Sequence, residues 1–240
     1  MHVVAIAKLA TSIEAEADAL AAAKGTLAYE ERLKLRADLP VIVLSTPDQA
    51  RAAALAGEIR GRGHGVIVCD TAEVVAESKM TLLRQFRFEP EALVVSVGLD
   101  ELELPWTDIA ALVCATHHTH TETVDSVKRK QFSLSRTIAT GGLLHSKQVK
   151  TEAVSRSDDS EPVLYLFRGS KQPPWLLAQN RANFTALGDR IAPTAAPNFR
   201  LAVELLRKRA QFAVFDDRLV KRRGTIAEVD LFAHLVAQIA

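Results

Sequence analysis

The segment Val113–Lys130, VCATHHTHTETVDSVKRK, contains the residues of this sequence that are best suited to bind a metal. If the apolar run before it continues as a strand, His118 and His120 share one face and His117 faces the other. Such a pair can bring two imidazoles to one ion, and His145 or a nearby carboxylate could complete the site. The candidate metal ligands are therefore His118, His120 and His145, with zinc as the ion.

The same segment also has a structural interpretation. Zinc sites usually show a second ligand pair at a recognisable spacing, and neither HExxH nor CxxC occurs in this sequence. We therefore favour a strand end that runs into a threonine-rich loop, and we expect no cofactor. The metal site remains the alternative.

The charge pattern around the histidines changes sign within this region. Residues 89–127 contain eight acidic residues and no lysine or arginine, whereas residues 126–150 contain six basic residues and no acidic one. Neighbouring strands of opposite charge would stabilise each other across a sheet. The alternative is a surface that binds an anionic partner. The candidate residues for that surface are Lys128, Arg129, Lys130, Lys147 and Lys150.

Composition excludes several classes of protein. The chain has 240 residues, 48% of them hydrophobic and 25% charged, with a net charge of +1. These values are typical of a folded chain with one large or two small domains, and they favour neither nucleic acid nor a membrane surface. No stretch approaches the roughly 20 apolar residues of a membrane span. The amino terminus does not resemble a signal peptide, and two isolated cysteines predict no disulfide. We therefore expect a cytoplasmic location.

The periodicity of the apolar residues predicts an α+β fold, and the pattern of segments changes near residue 80. Residues 1–80 read as a small α/β module in the order strand, helix, helix, strand, helix, strand. Residues 81–212 contain six or seven short segments that predict an antiparallel barrel or sandwich with a closing helix from Asn198. Residues 213–240 predict a final amphipathic helix.

Two parts of the chain resemble known families at the level of the fold. The stretch AAAKGTLAYEERLKLRADLPVIVLSTPDQARAAALAGEIRGRGHGVIVC resembles the C-terminal domain of the bacterial ribosomal stalk protein. A turn at Gly25, a helix that ends before Pro40 and a helix that closes on Gly63 carry the resemblance. That fold also occurs in the proteolytic adaptor ClpS, and it implies a docking module without an active site.

The second resemblance covers FRFEPEALVVSVGLDELELPWTDIAALV, which is similar to the opening of bacterial pleckstrin-homology-like domains. Pro105, Trp106 and Ile109 stand at the step into the next strand, and the helix from Asn198 to Ala210 resembles the closing helix. The segment between Gly169 and Pro197 is longer than the last hairpin of that family. The resemblance implies an antiparallel barrel with its helix in the core.

The sequence therefore favours a non-enzymatic adaptor or regulatory protein that binds a protein partner or a second copy of itself. The first alternative is a metal-dependent enzyme or metal sensor that uses the histidine-rich segment 117–120. The second is an anion-binding or nucleic-acid-binding protein that uses segment 128–150. Nucleic acid is the less favoured ligand, because only Phe132 accompanies the basic residues as a stacking side chain.

Overall fold

The computed structural model describes the backbone of residues 1–132, 146–169 and 172–239, and the side chains of residues 1–119, 159–169 and 172–239. Two compact units are present, of which one combines Met1–His117 with Glu161–Ala240 and the other is His118–Ser160. The first unit contains every described side chain except those of His118, Thr119, Asp159 and Ser160. The α+β class predicted from the sequence is confirmed.

The amino-terminal module has the predicted order of elements. These are β1 (His2–Lys8), α1 (Ile13–Lys24), α2 (Ala28–Leu35), β2 (Val41–Thr46), α3 (Gln49–Gly61) and β3 (Gly65–Asp70). The strands form an antiparallel sheet in the order β2-β1-β3. All three helices contribute to the core on one face of this sheet, through residues such as Leu20, Leu35 and Ile59.

The helices of this module begin at particular capping residues. The hydroxyl of Ser12, not that of the neighbouring Thr11, accepts the N–H of Ala15 at the start of α1. Gly25 ends α1 with φ +69°, a conformation that favours glycine. Asp48 caps α3 by accepting the N–H of Arg51.

Two sheets follow the module. Their strands are β4 (Thr81–Leu82), β5 (Gln85–Phe88), β6 (Ala92–Val97), β7 (Asp100–Pro105), β8 (Ile109–Phe132), β9 (Ser146–Arg168), β10 (Trp175–Ala178) and β11 (Val214–Leu219). One sheet is the antiparallel meander β5-β6-β7, and the other has the order β11-β8-β9-β10-β4. Both outer pairs of the larger sheet are parallel, so it is mixed. The strand orders are linear in the described part of the chain, which fits the sandwich-like alternative.

Two helices complete the first unit, namely α4 (Ala195–Arg209) and α5 (Ile226–Ala237). Helix α4 shares a core with both sheets through Phe199, Ala202 and Leu206. It begins at Ala195 after Thr194, three residues before the predicted Asn198. The Asn198 side chain instead exchanges two hydrogen bonds with the backbone of Ala192.

Helix α5 covers the second face of the amino-terminal sheet. Val229, Phe232 and Val236 are buried in one cluster with Ala5 and Ile67 of that sheet, and strands of the mixed sheet contribute to the same cluster. This explains why β1 is buried on both faces. Among the described residues, none of the helices combines the length and the apolar character that crossing a bilayer requires.

Candidate functional site

A buried chain of polar side chains joins β8, β9 and α5. His117, Tyr165 and Asp230 expose 2%, 0% and 2% of their surfaces. The Tyr165 hydroxyl donates to Asp230 Oδ1 at 2.7 Å and lies 2.6 Å from His117 Nε2. A tyrosine has one hydroxyl proton, so a Tyr165 that donates to an ionised Asp230 must accept from His117 Nε2–H. The proton of the neutral imidazole is thereby assigned to Nε2.

The second ring nitrogen of His117, Nδ1, has weaker hydrogen bonding than the other polar atoms of this buried network. His117 Nδ1 is buried without a hydrogen-bond partner among the described residues, and it lies 3.4 Å from Glu77 Oε2. Burial lowers the pKa of His117, while the carboxylates of Glu77 and Asp230 act in the opposite direction. The neutral imidazole therefore turns a lone pair toward the Glu77 carboxylate. Protonation would convert that contact into a donor–acceptor pair.

An ion-paired rim surrounds the buried chain. Arg181 pairs with Glu77, and its Nε lies 3.0 Å from Glu161 Oε2. Glu161 also accepts the N–H of Asn180. Burial raises the pKa of the Tyr165 hydroxyl, and the Asp230 carboxylate raises it further. Tyr165 is therefore held as a neutral donor.

The backbone between β3 and β4 is fixed by α5 through the same residues. Asp230 Oδ2 accepts the N–H of Glu77 at 3.0 Å, and His234 Nε2 accepts the N–H of Val75 at 3.2 Å. His234 Nδ1 in turn lies 2.8 Å from the carbonyl oxygen of Asp230, one helical turn earlier. Both nitrogens are thus engaged, and burial lowers the pKa of His234 as well. The helix binds this connector by side chains at positions i and i+4.

A cavity of about 290 Å³ lies beside Asp230, between Val74 and Ala227. Both Asp230 carboxylate oxygens already accept a hydrogen bond from the protein. The carboxylate therefore has limited capacity to act as a base toward a molecule in that cavity. The network of His117, Tyr165 and Asp230 can hold or move a proton. Its contacts are those expected of a buried polar network that fixes the packing of β8, β9 and α5.

A second buried polar cluster lies in the amino-terminal module. The Glu16 carboxylate accepts from Arg62 Nε and Nη2 at 2.8 and 2.7 Å, and it lies 2.8 Å from His64 Nε2. His64 Nδ1 accepts the N–H of Ala10, so the proton of a neutral His64 is on the nitrogen that faces Glu16. This cluster joins α1 to the chain after α3, and every group in it has a partner.

The predicted metal ligands lie largely outside the described residues. His118 is partly buried on β8, His120 falls on β8 with a side chain outside the described part, and His145 lies outside it altogether. No group of three metal-binding side chains converges among the described residues. The metal site therefore remains a prediction.

The predicted basic surface also lies outside the described side chains. Lys128, Arg129 and Lys130 fall on β8, and Lys147 and Lys150 fall on β9. Their backbone thus belongs to the two long strands, and the anion-binding surface itself remains a prediction.

Sequence reasoning missed the role of His117. Its hydrogen-bond partner Tyr165 lies 48 residues further along the chain, and Asp230, which accepts from Tyr165, lies 113 residues further, so no motif spacing connects the three. The strand itself gives no signal that separates the two histidines. His117 follows Val113 and Ala115 at a period of two, and both of these face the buried cluster under α5. His118 follows Leu112 and Cys114 in the same way, and these are buried in the core under α4, so the apolar run does not show which histidine points inward.

Comparisons with protein-family models, with curated proteins and with solved structures give no match to this chain.

Proposed function

We propose that the protein is a non-enzymatic, cytoplasmic interaction protein, and that α2 carries its contact surface. One observation supports this most directly. Tyr29, Arg32, Leu33 and Arg36 stand at positions i, i+3, i+4 and i+7, so they form one stripe along the helix. Tyr29 and Leu33 expose 66% and 49% of their surfaces.

The charges of this α2 stripe indicate the chemistry of the partner. The Nε atom of Arg32 is buried without a hydrogen-bond partner, and neither Arg32 nor Arg36 forms an ion pair with a carboxylate in the described part of the chain. The α2 stripe, which ends at the C-cap residue Arg36, thus combines two exposed apolar side chains with two guanidinium groups that pair with no carboxylate of the described residues. The matching partner is an acidic segment that also carries apolar side chains.

Hydrogen bonds and ion pairs to the buried side chain of Glu31 hold α2 in place on the side away from the α2 stripe. Glu31, which is fully buried, accepts from Lys24 Nζ at 2.7 Å, from Lys34 Nζ at 3.0 Å and from the hydroxyl of Thr26 at 2.9 Å. Lys24 Nζ also donates to the carbonyl oxygen of Val43 at 2.6 Å. Burial alone would raise the pKa of Glu31, but these donors lower it. A helix fixed in this way loses little conformational entropy when it binds.

The test compares stripe variants with a matched surface variant. Tyr29→Ser combined with Leu33→Ser removes the exposed apolar side chains, whereas Leu99→Ser removes a side chain that is fully exposed on the β6–β7 turn. Affinity capture followed by quantitative mass spectrometry should show proteins that bind the natural sequence and the Leu99 variant but not the stripe variant. The retained proteins should contain acidic segments, and their binding should weaken with added salt because the arginines contribute.

Two outcomes would contradict the proposal. The captured set could be the same for all three proteins, or size-exclusion and light-scattering data could show only self-association that the stripe variant leaves unchanged. The circular dichroism spectrum and the urea midpoint of each variant serve as controls for folding. Since the substituted side chains are exposed, both should change little.

A further inference from the structure

Another cavity, of about 480 Å³ and distinct from the one beside Asp230, lies between β3, the connector that follows β3, the mixed sheet and α5. Phe167, Val75 and Pro174 supply apolar walls. Arg168, Gln172 and Gln238 also line it, and they bring a guanidinium and two amide groups to the same space. Cavities of this size with few polar groups on apolar walls are typical of sites for small molecules.

Arg168 is the unusual member of this lining. It is partly buried, with its Cζ 5.5 Å from the centre of the Trp175 ring and its Nη2 donating to the carbonyl oxygen of Pro173 at 2.7 Å. Among the described residues, its Nε is buried without a hydrogen-bond partner and Arg168 forms no ion pair. Burial lowers the pKa of Arg168, and no neighbouring charge opposes that effect. A partly desolvated guanidinium is stabilised by an anion beside it, and no carboxylate of the described residues pairs with this one.

Arg168 lines two cavities, and the charges of their other lining residues indicate where an anion would bind and how much charge it would carry. Arg168 also lines a neighbouring cavity of about 370 Å³, but Glu103 and Asp108 line that one and would repel an anion. The larger cavity has a single carboxylate in its lining, that of the exposed Glu73. A single guanidinium can balance one negative charge but not two, and the Glu73 carboxylate repels a dianion more than a monoanion, so a monoanion fits this lining better than a phosphate dianion. The apolar walls favour an organic ligand.

We infer that the cavity lined by Phe167 and Arg168 binds a small organic monocarboxylate, with the carboxylate group at the Arg168 guanidinium and the apolar body against Phe167 and Val75. Gln172 and Gln238 line the same cavity and bring amide hydrogen-bond donors to it. This ligand site is distinct from the α2 stripe, so the two can be tested separately.

Titration calorimetry with hexanoate tests the inference, with hexanol and inorganic phosphate as the neutral and dianionic comparison ligands. Arg168→Gln removes the positive charge, and Ala110→Leu adds volume to the cavity from an exposed strand position. Arg190→Gln removes an exposed arginine outside the cavity and is the matched control. Fluorescence of Trp175, which lies beneath the Arg168 guanidinium, gives an independent signal of occupancy.

The expected result is saturable hexanoate binding that becomes weaker by about tenfold or more in the Arg168 and Ala110 variants and is unchanged in the Arg190 variant. Hexanol and phosphate should each bind more weakly than hexanoate by a similar factor. The inference is overturned if hexanoate does not bind, if Arg168→Gln leaves its affinity unchanged, or if hexanol or phosphate binds equally well. Because two variants change the site in different ways, misfolding of one leaves the other as a test.

Discussion

Replacing Tyr165 with phenylalanine removes one hydroxyl group from the centre of the buried chain and leaves the ring in place. The hydroxyl makes two hydrogen bonds, one to the Asp230 carboxylate at 2.7 Å and one to His117 at 2.6 Å. A hydrogen bond to a charged group contributes about 1.5–3 kcal/mol, and one between neutral groups contributes about 0.5–1.5 kcal/mol. We therefore expect Tyr165→Phe to lower the free energy of unfolding by about 2–4.5 kcal/mol.

Urea unfolding measures this change. The midpoint should fall while the slope with denaturant stays constant, since the variant exposes the same surface on unfolding. The control is Tyr29→Phe, because Tyr29 is the other tyrosine of the chain and is 66% exposed. That change should alter the unfolding free energy by less than about 0.5 kcal/mol. If both variants unfold at the same urea concentration, the hydroxyl is not a stabilising centre and the proposed role of the network is wrong.

Two further predictions concern buried titratable side chains. Burial lowers the pKa of His117 and His234, so the unfolded chain takes up protons more readily than the folded one. The free energy of unfolding should therefore fall as the pH drops below about 6.5, the usual pKa of a histidine side chain. Urea midpoints that stay constant or rise between about pH 7 and pH 5.5 would contradict this prediction. Glu16→Gln removes the carboxylate that neutralises a buried cluster and should cost about 3 kcal/mol. The exposed Glu14→Gln is its control, and equal urea midpoints for the two variants would refute the assignment.

The local elements of the fold could be predicted from the sequence, because each begins or ends at residues with strong local preferences. Gly25 ends α1 as expected, and the order of elements in the amino-terminal module follows from the apolar periodicity. The capping residue of α1 is less clear from the sequence, since Thr11 and Ser12 are adjacent; Ser12 caps the helix, and the Thr11 hydroxyl lies 3.4 Å from His64 Nε2. Thr26 also has the residue type of a cap and stands just before α2, but its hydroxyl donates to buried Glu31 and does not cap that helix.

The long strands and the buried site could not be predicted in this way. The sequence predicts short segments throughout residues 81–212, whereas β9 is one continuous strand of 23 residues, paired with the strands that precede and follow it. The parallel pairing of β11 with β8 requires a crossover through α4, and no local pattern encodes such a connection. His117, Tyr165 and Asp230 meet only because β8, β9 and α5 pack together. A network of this kind becomes visible only when the tertiary contacts are known.

The proposed contact surface is tested most directly by site-specific photo-crosslinking in cells. A photoreactive side chain is introduced at position 33, in place of Leu33 on the α2 stripe, and at position 99, in place of the fully exposed Leu99. Position 33 should yield a defined crosslinked peptide that is acidic and carries apolar residues, and position 99 should not. The yield should fall when Arg32 and Arg36 are both replaced by glutamine. Equal crosslinking from the two positions, or a crosslinked peptide without acidic residues, would contradict the assignment of α2 as the binding surface.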